Sequence, residues 1–227
     1  FDYNQQEPRL VVHYASLQQL PSAFTVVDAY KEGNADFHKI VADMAQIPRT
    51  QAKTINLGLF YGMGKAKLQA ELGISKEKAD DLFSTYHSKV PFVKQLMERA
   101  SNRAQERGQI RTLLGRLCRF HLWEPNQFGI HKALPQEQAT LEHGPGIKRA
   151  YTYKALNKLI QGSAADMTKK AMIDLHKEGI IPHIQVHDEL DISVKDDKEA
   201  KQIVQIMESS VELEVPNKVD YEAGENW

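Results

Sequence analysis

Residues 184–194 (IQVHDELDISV) alternate apolar and polar side chains on both sides of Asp188 and Glu189. A period of two predicts strands, so this stretch is typical of a β-hairpin whose tip carries the two acids. Adjacent carboxylates at a tight turn repel each other unless a cation neutralises them. The pattern therefore points to a cation site, although an isolated Asp-Glu pair also occurs in ordinary solvated turns.

A second constraint is the spacing of Arg49, Lys53, Leu57 and Tyr61, which recur at steps of four. On a helix such residues form one slowly winding stripe, with the two cations at the amino-terminal end. The helix dipole makes that end attractive to anions. A nucleoside triphosphate would suit the stripe, with its phosphates at the cations and its sugar and base further along. An ordinary amphipathic helix explains the stripe alone equally well.

The remaining pattern predicts an α+β fold, rich in helices and with a small antiparallel sheet. Phe1 to Tyr3 suits the end of a strand, and residues 110–120 suit a short hairpin that turns at Leu114 and Gly115. Residues 121–146 contain three prolines and are predicted to form an irregular surface connection. Helices are predicted over residues 8–17, 37–45, 48–61, 75–88, 91–107, 148–177 and 197–209.

Composition restricts the function only weakly. The 227 residues suffice for one domain or two closely joined lobes, and the net charge is −1. Residues 89–119 are basic and the chain from Asp188 onward is acidic, which permits phosphate binding in the middle and metal binding near the end. No apolar run is long enough to cross a membrane. The lone Cys118 favours the reducing cytosol.

The motifs together resemble family A DNA polymerases, which include bacterial DNA polymerase I and many phage replicases. Residues 2–9 (DYNQQEPR) are similar to the first polymerase motif, residues 49–62 (RTQAKTINLGLFYG) to the second and residues 185–189 (QVHDE) to the third. Residues 157–162 (NKLIQG) are similar to the helix that touches the primer–template minor groove, and residues 224–227 (GENW) to the closing residues of the family. The motifs occur in the family's order over nearly the whole chain.

The resemblance implies a catalytic centre with two Mg²⁺ ions held by Asp2, Asp188 and the Tyr3 carbonyl, with Glu189 as an auxiliary acid. One ion would activate the primer 3′-hydroxyl, and the other would neutralise the triphosphate and the departing pyrophosphate. Carboxylate and carbonyl oxygens are the hard ligands that Mg²⁺ prefers. Lys53 would donate a proton to pyrophosphate.

The same resemblance implies a site for the incoming dNTP. Arg49, Lys53 and His38 would contact its phosphates, and Glu7 would exclude a ribose 2′-hydroxyl. Leu57 replaces an aromatic residue that is usual in the family, so the stacking on the sugar is expected to change. The residues that the resemblance assigns to the nucleotide are Tyr3, Gln6, Glu7, His38, Arg49, Lys53, Leu57 and Tyr61.

Primer–template DNA is the second expected partner. Arg9, Asn157, Gln161 and His187 resemble residues that contact primer or template, through contacts that do not depend on base sequence. The short span between His38 and Arg49 favours a phage-like source, so the expected compartment is the bacterial cytosol, either normal or phage-infected.

The resemblance also predicts the division of the chain. Residues 1–21 and 108–227 would form the palm, and residues 22–107 the fingers. A thumb and a proofreading exonuclease are expected outside this chain, in a longer parent or on a separate polypeptide.

Two other functions compete with this prediction. A single-subunit RNA polymerase shares the metal aspartates and the Arg-Lys-Tyr helix, but Glu7 should exclude ribonucleotides. A catalytically silent DNA-binding module derived from a polymerase would not need both Asp2 and Asp188.

Overall fold

The computed structural model describes residues 1–33, 35–60, 63–127, 129 and 131–224. The helices in these segments are α1 (Gln6–Leu17), α2 (Ala23–Glu32), α3 (Phe37–Ala45), α4 (Arg49–Phe60), α5 (Lys65–Leu72), α6 (Lys76–Lys89), α7 (Pro91–Arg107), α8 (Gln136–His143), α9 (Ala155–Lys177) and α10 (Asp197–Ser209). The strands are β1 (Asp2–Tyr3), β2 (Gln109–Arg111), β3 (Leu117–Arg119), β4 (Leu122–Pro125), β5 (Leu134–Pro135), β6 (Ile147–Arg149), β7 (Ile184–Val186), β8 (Glu189–Asp191) and β9 (Val219–Asp220). The predicted α+β class is confirmed.

The largest described sheet has the strand order β7-β8-β1-β9, and all of its neighbouring strands are antiparallel. The predicted hairpin is present as β7 and β8, which turn through His187 and Asp188. Strand β1 lies between β8 and β9, so the two ends of the chain meet in one sheet. Strand β9 was not predicted, because a strand of two residues has too few positions to show a period of two.

The core is formed where long helices cross behind this sheet. Helix α9 packs against α1, α7 and α10, and it buries Leu156, Ile160 and Met167. Helix α1 buries a continuous run around Leu10 and Val11 between α2, α7 and α9. Helix α1 is therefore buried on more than one side, and its buried residues include polar ones such as Arg9 and His13.

Several helix boundaries follow from local chemistry. The Asp36 side chain accepts hydrogen bonds from the backbone N–H groups of His38 and Lys39, so it caps α3 as predicted. Helices α6, α7 and α10 begin and end within one residue of their predicted limits. Helices α2 and α5 were not predicted, and α5 buries only Leu68 among its eight residues, which leaves little periodicity to detect.

The prediction of an irregular connection over residues 121–146 is wrong. Strands β5, β4 and β6 form a three-stranded sheet there, and α8 packs against β4. The prolines are compatible with this sheet because Pro135 lies on an edge strand and Pro125 ends β4, where ladder donors are not required. The guanidinium of Arg149 on β6 lies 4.6 Å from the ring centre of Trp123, the residue directly opposite on β4.

The long helix α9 begins later than predicted. Residues 147–149 are the strand β6, and Tyr151 has a φ of 62°, in the left-handed region that interrupts a right-handed helix. A short 3₁₀ turn at Thr152–Lys154 then leads into α9. Among the described residues, no helix is both long enough and apolar enough to cross a membrane.

Candidate active site

Acidic side chains lie in a row across the middle of the main sheet. Asp2 on β1 is directly opposite Glu189 on β8 and directly opposite Asp220 on β9. Directly opposed residues of antiparallel strands project from the same face, so these carboxylates share one face of the sheet. Asp188 adjoins the row, because the backbone N–H of Tyr3 donates to the Asp188 carbonyl oxygen at 3.4 Å. The structure therefore brings Asp2 and Asp188 together from positions at opposite ends of the chain.

The charges in this row are compensated unequally. Partial burial raises the pKa of Asp2 above its ordinary value, and Asp188 and Glu189 add to the shift, while the amino group of Phe1 opposes it. Asp220 differs, because Asn4 donates a hydrogen bond to it at 2.7 Å and Lys218 lies 3.2 Å away, and the pKa of Asp220 is lowered. Asp2 thus carries negative charge that described side chains leave unbalanced, as expected of a residue that meets a cation.

The oxygen donors fit a divalent cation. Asp2 and Asp188 supply carboxylates, and the Tyr3 carbonyl belongs to the same strand end, so the donor set is entirely hard oxygen. Within the described ranges, no group of three or more histidine, cysteine, aspartate and glutamate side chains is already arranged around a metal position. The fit therefore rests on two carboxylates and a carbonyl.

Strand β1 is held firmly behind these oxygens. The Tyr3 ring is buried, and its hydroxyl donates to the Met207 carbonyl of α10 at 2.7 Å. Burial raises the pKa of the Tyr3 hydroxyl, so it stays protonated and keeps donating. The end of the strand is consequently fixed to a helix that packs on the far side of the sheet.

A second cluster lies at the start of α3 and α4. The guanidinium of Arg49 contacts the Asp36 carboxylate through both Nε and Nη2 at 2.6 Å. Partial burial of Asp36 opposes its ionisation, but the hydrogen bonds from Arg49 and from the Lys39 amide outweigh it and lower the pKa of Asp36. Lys53 is exposed one turn further along α4. These cations lie at the amino-terminal end of α4, where the helix dipole also attracts anions.

His38 lies beside these cations but is turned inward. It is 8% exposed, and its Nδ1 lies 3.1 Å from the side-chain nitrogen of Asn56. The Tyr86 hydroxyl donates to the oxygen of the same Asn56 amide at 2.5 Å. Burial lowers the pKa of His38; Asp36 opposes that shift, while Arg49 and Lys53 add to it.

Gln5 connects the acidic row with this cluster. It lies three residues after Asp2, and its side-chain oxygen accepts hydrogen bonds from the Phe37 N–H at 2.8 Å and from the Tyr30 hydroxyl at 3.2 Å. Its side-chain nitrogen donates to the Ala35 carbonyl at 3.1 Å. The residues just before and after Asp36 are therefore tied to the segment that follows β1.

The other residues predicted for the nucleotide have mixed surroundings. Glu7 is half-buried in the first turn of α1, and Leu57 is half-buried one turn after Lys53. Gln6 is only 4% exposed and donates to the Thr168 hydroxyl at 3.3 Å, so its predicted direct contact with nucleotide is not supported. Tyr61 lies outside the described residues.

Three of the residues predicted to contact DNA are accessible. Gln161 is exposed and Asn157 half-buried one turn earlier on the same face of α9. His187 is exposed at the hairpin tip with a φ of 54°, and its carbonyl accepts a hydrogen bond from Gln185 at 2.8 Å. Gly162 follows Gln161, and a Cβ there would come within 2.7 Å of Thr112, so α9 approaches the β2–β3 hairpin closely.

Arg9, the fourth residue predicted to contact DNA, is bonded within the protein. It is 4% exposed, and its guanidinium donates to the Asn4 carbonyl at 2.7 Å and the Pro216 carbonyl at 2.6 Å. It also lies 4.5 Å from the ring centre of Tyr30. These bonds hold Arg9 between the residue after β1 and the segment before β9, and its contact with primer or template stays a prediction.

Sequence reasoning missed Asp220, Asn56 and Tyr86. Asn56 was detectable in principle, because it follows Ala52 and Ile55 on the buried face of α4, where a polar residue is costly unless it is hydrogen-bonded. Asp220 and Tyr86 carry no local signal, since their importance comes from partners far away in the chain.

The main sheet thus carries a row of acids, and Gln5 ties the start of α3, where the cations cluster, to the segment that follows β1. The chain matches DNA polymerase family A over residues 1–227 and belongs to that family. It is 37% identical to a DNA-directed DNA polymerase of Pseudomonas phage M6, with 100% of this chain and 37% of the relative covered. It is 33% identical to DNA polymerase I of Bacillus caldotenax, with 100% of this chain and 25% of the relative covered.

A solved structure has the same fold. The POL domain of Pol1 from M. smegmatis, in complex with DNA primer-template and dNTP, matches with a TM-score of 0.72 and 27% identity. The match covers 95% of this chain and 37% of that one. The chain thus spans only a quarter to somewhat over a third of these relatives. Polymerases of this family generally use divalent metal ions.

Proposed function

We propose that this chain is the nucleotide-incorporating core of a template-directed DNA polymerase that extends a primer 3′ end and releases pyrophosphate. The observation that carries the proposal is the Gln5 connection, which joins a row of acids with an unbalanced negative charge to the cationic ends of α3 and α4. Nucleotidyl transfer needs this combination, because a cation-binding group and a triphosphate-binding group must meet at one reacting phosphorus.

Asp2, Asp188 and the Tyr3 carbonyl would hold two Mg²⁺ ions, and Glu189 would assist from the neighbouring position. Bound there, Mg²⁺ would supply activation of the primer 3′-hydroxyl and neutralisation of the charge that develops on the phosphates. In the transfer, a bond forms between the primer 3′-oxygen and the α-phosphorus, and the bond to the pyrophosphate oxygen breaks. Fixing β1 through the Tyr3 hydroxyl keeps these oxygens in place.

Arg49 and Lys53 would bind the triphosphate, and Lys53 would give its proton to the departing pyrophosphate. Arg49 is paired with Asp36 in this structure, but both side chains are partly exposed, so the pair is worth little and can rearrange for a phosphate. Glu7 would stand against the 2′ position of the sugar and select dNTPs over rNTPs. Leu57 would contact the sugar from α4.

Asn157, Gln161 and His187 would touch the primer–template duplex from α9 and the hairpin tip. Accessible amides suit minor-groove acceptors, which are shared among base pairs and therefore report pair shape. In this proposal the palm comprises residues 1–21 and 108–227, and the fingers comprise residues 22–107. Gln6 and Arg9 are bonded in the interior, and their contacts with nucleotide and DNA stay predictions.

The test is primer extension with dNTPs and, separately, with rNTPs in the presence of Mg²⁺. Asp188→Ala should lower single-turnover incorporation by orders of magnitude and leave duplex binding largely unchanged, because DNA affinity comes mainly from cations. Asp28→Ala, which alters an exposed carboxylate on α2, is the matched control. An Asp188→Ala protein that kept more than about a tenth of the wild-type rate would overturn the metal assignment. Preferential use of rNTPs would indicate an RNA polymerase instead.

A further inference from the structure

A buried polar network links three helices behind the proposed triphosphate site. His38 is on α3, Asn56 on α4 and Tyr86 on α6, and Asn56 and Tyr86 are both 0% exposed. The His38 ring meets the Asn56 amide at 3.1 Å, and the Tyr86 hydroxyl meets the other end of that amide at 2.5 Å. Hydrogen bonds this deep in a protein are retained only when every partner is satisfied, since an unpaired buried polar group is costly.

The network determines where the His38 proton lies. A tyrosine hydroxyl that donates to the Asn56 oxygen leaves the Asn56 nitrogen, which can only donate, facing Nδ1 of His38. Nδ1 must then be the acceptor, so the proton of the neutral ring is on Nε2. This nitrogen lies on the opposite side of the ring from Asn56.

The reversed amide is disfavoured for a definite reason. With the Asn56 nitrogen turned toward Tyr86, the hydroxyl would accept a hydrogen bond, and its own hydrogen would need another acceptor. No other acceptor bonds the Tyr86 hydroxyl in the part of the chain that the structure describes, and Tyr86 is fully buried. A buried donor would be left without a partner, which the observed orientation avoids.

We infer that Asn56 and Tyr86 are positioning residues that hold His38 in the tautomer protonated at Nε2. In this tautomer the ring presents an N–H donor to a nucleoside triphosphate. The inference rests on the proposed function for the identity of the ligand. The tautomer itself follows from the network alone.

The charged surroundings are consistent with a neutral donor. The groups that face His38 are Asp36 from the α3 cap, Arg49 and Lys53 from α4, and Tyr86 from α6 through Asn56. The two cations and burial lower the pKa of His38, so the ring is neutral at pH 7. A neutral ring can stand beside Arg49 and Lys53 without repulsion and still donate one hydrogen bond to a phosphate oxygen.

The first experiment reads the tautomer directly. Protein labelled with ¹⁵N-histidine is observed by long-range ¹H–¹⁵N NMR at pH 7, with the His38 signals assigned from a His38→Gln sample. The expected spectrum has a protonated Nε2 and an unprotonated Nδ1. A ring protonated at Nδ1 overturns the inference whether or not the protein incorporates nucleotides, which separates this failure from a failure of the proposed function.

The second experiment reverses the bond to Nδ1. Asn56→Asp has the same shape, but a carboxylate can only accept, so it requires a proton on Nδ1. The His38 titration midpoint should move upward, because the new carboxylate stabilises the imidazolium. An unchanged midpoint and tautomer would show that residue 56 does not control the ring.

Tyr86→Phe tests the outer link of the network. Loss of the hydroxyl should release the Asn56 amide and produce a mixture of both His38 tautomers. Tyr14→Phe is the matched control. It removes the hydroxyl of a different, half-buried tyrosine, which is bonded to Ser163 at 2.7 Å and does not contact His38. An equal response of His38 to both variants would point to general loosening and would overturn the positioning role of Tyr86.

The last experiment asks which ring nitrogen the nucleotide uses. The side-chain amide nitrogen of glutamine can occupy the place of Nε2, whereas asparagine reaches only the place of Nδ1. His38→Gln should keep KM for dNTP within about threefold of wild type, and His38→Asn should raise it by about tenfold or more, as for loss of a hydrogen bond to a charged group. If His38→Asn retains the better KM, Nε2 is not the donor and the inference is wrong.

Discussion

Replacing Asp2 with asparagine should stabilise the metal-free protein while it abolishes incorporation. Asp2 faces Glu189 on one side and Asp220 on the other, as the central member of the acidic row. No described residue donates a hydrogen bond to its side chain, so an amide of the same shape removes repulsion without breaking a bond. Such a gain in stability on replacement is expected of a carboxylate that serves metal binding and not the stability of the fold.

The size of the effect follows from the sheet geometry. A directly opposed like-charge pair costs about 0.2–1 kcal/mol, and Asp2 forms two such pairs, so Asp2→Asn should raise the free energy of unfolding by about 0.4–2 kcal/mol. For a chain of this length, each kcal/mol raises Tm by about 2–4 °C. Because the carboxylates are partly exposed, the gain should shrink as salt is added.

The pH dependence of stability gives the direction of the Asp2→Asn effect from a separate observation. The pKa of Asp2 is raised in the folded protein, so its ionisation disfavours the native state. Below the ordinary pKa of 3.8 the carboxyl is protonated in both states, and the difference between the wild type and Asp2→Asn should vanish. The difference should grow as the pH rises through the raised pKa and then level off.

Magnesium should reverse the order of stability. At a hundredfold excess over Kd, a ligand that binds only the folded state adds about 2.7 kcal/mol, which exceeds the gain expected for Asp2→Asn and requires an intact site. Thermal unfolding in low salt is measured with EDTA and with Mg²⁺ for the wild type, Asp2→Asn and the exposed control Asp28→Asn. If Asp2→Asn were less stable than the wild type in EDTA at pH 7, the view that Asp2 is an uncompensated charge would be refuted.

Two further predictions concern the nucleotide. Glu7→Ala should lower the ratio of dNTP to rNTP incorporation efficiency, because it removes the side chain expected at the 2′ position; an unchanged ratio would eliminate Glu7 as the sugar gate. Leu57→Tyr should improve dideoxynucleotide incorporation by about ten- to a hundredfold relative to dNTP, since a hydroxyl at this place could replace the missing 3′-hydroxyl as a donor to phosphate. A ratio of kcat/KM values that moves by less than about threefold would show that Leu57 does not face the sugar.

Periodicity and capping were sufficient to predict the elements whose signals lie within a short stretch of sequence. The acidic hairpin and the stripe on α4 could be predicted because their patterns are complete within fewer than twenty residues, and Asp36 could be identified as a cap from its neighbours. The small sheet around β4 could not, because its pairing depends on side chains such as Trp123 and Arg149 that meet across a long connection.

The motifs predicted the acids of the candidate site, but not the residues that surround them. Asp2 and Asp188 were identified from motifs. Asp220, which lies opposite Asp2, is on a strand too short to be predicted. Arg9 was assigned to DNA from the resemblance, and its internal partners could not be predicted. Its guanidinium donates to the main-chain carbonyls of Asn4 and Pro216, and sequence alone does not reveal which carbonyls lack partners.

Gln5 explains how the segment after a strand of only two residues is held in place. It adopts a left-handed conformation with a φ of 54°, which costs a non-glycine residue about 1–2 kcal/mol. In return, its amide bonds Tyr30, Ala35 and Phe37, each bond contributing about 0.5–1.5 kcal/mol. The strain is therefore offset only when the start of α3 lies against the end of β1. The folded state is thus coupled to the arrangement in which the start of α3, with Asp36 and its partner Arg49, is tied to the segment that follows Asp2 and Tyr3.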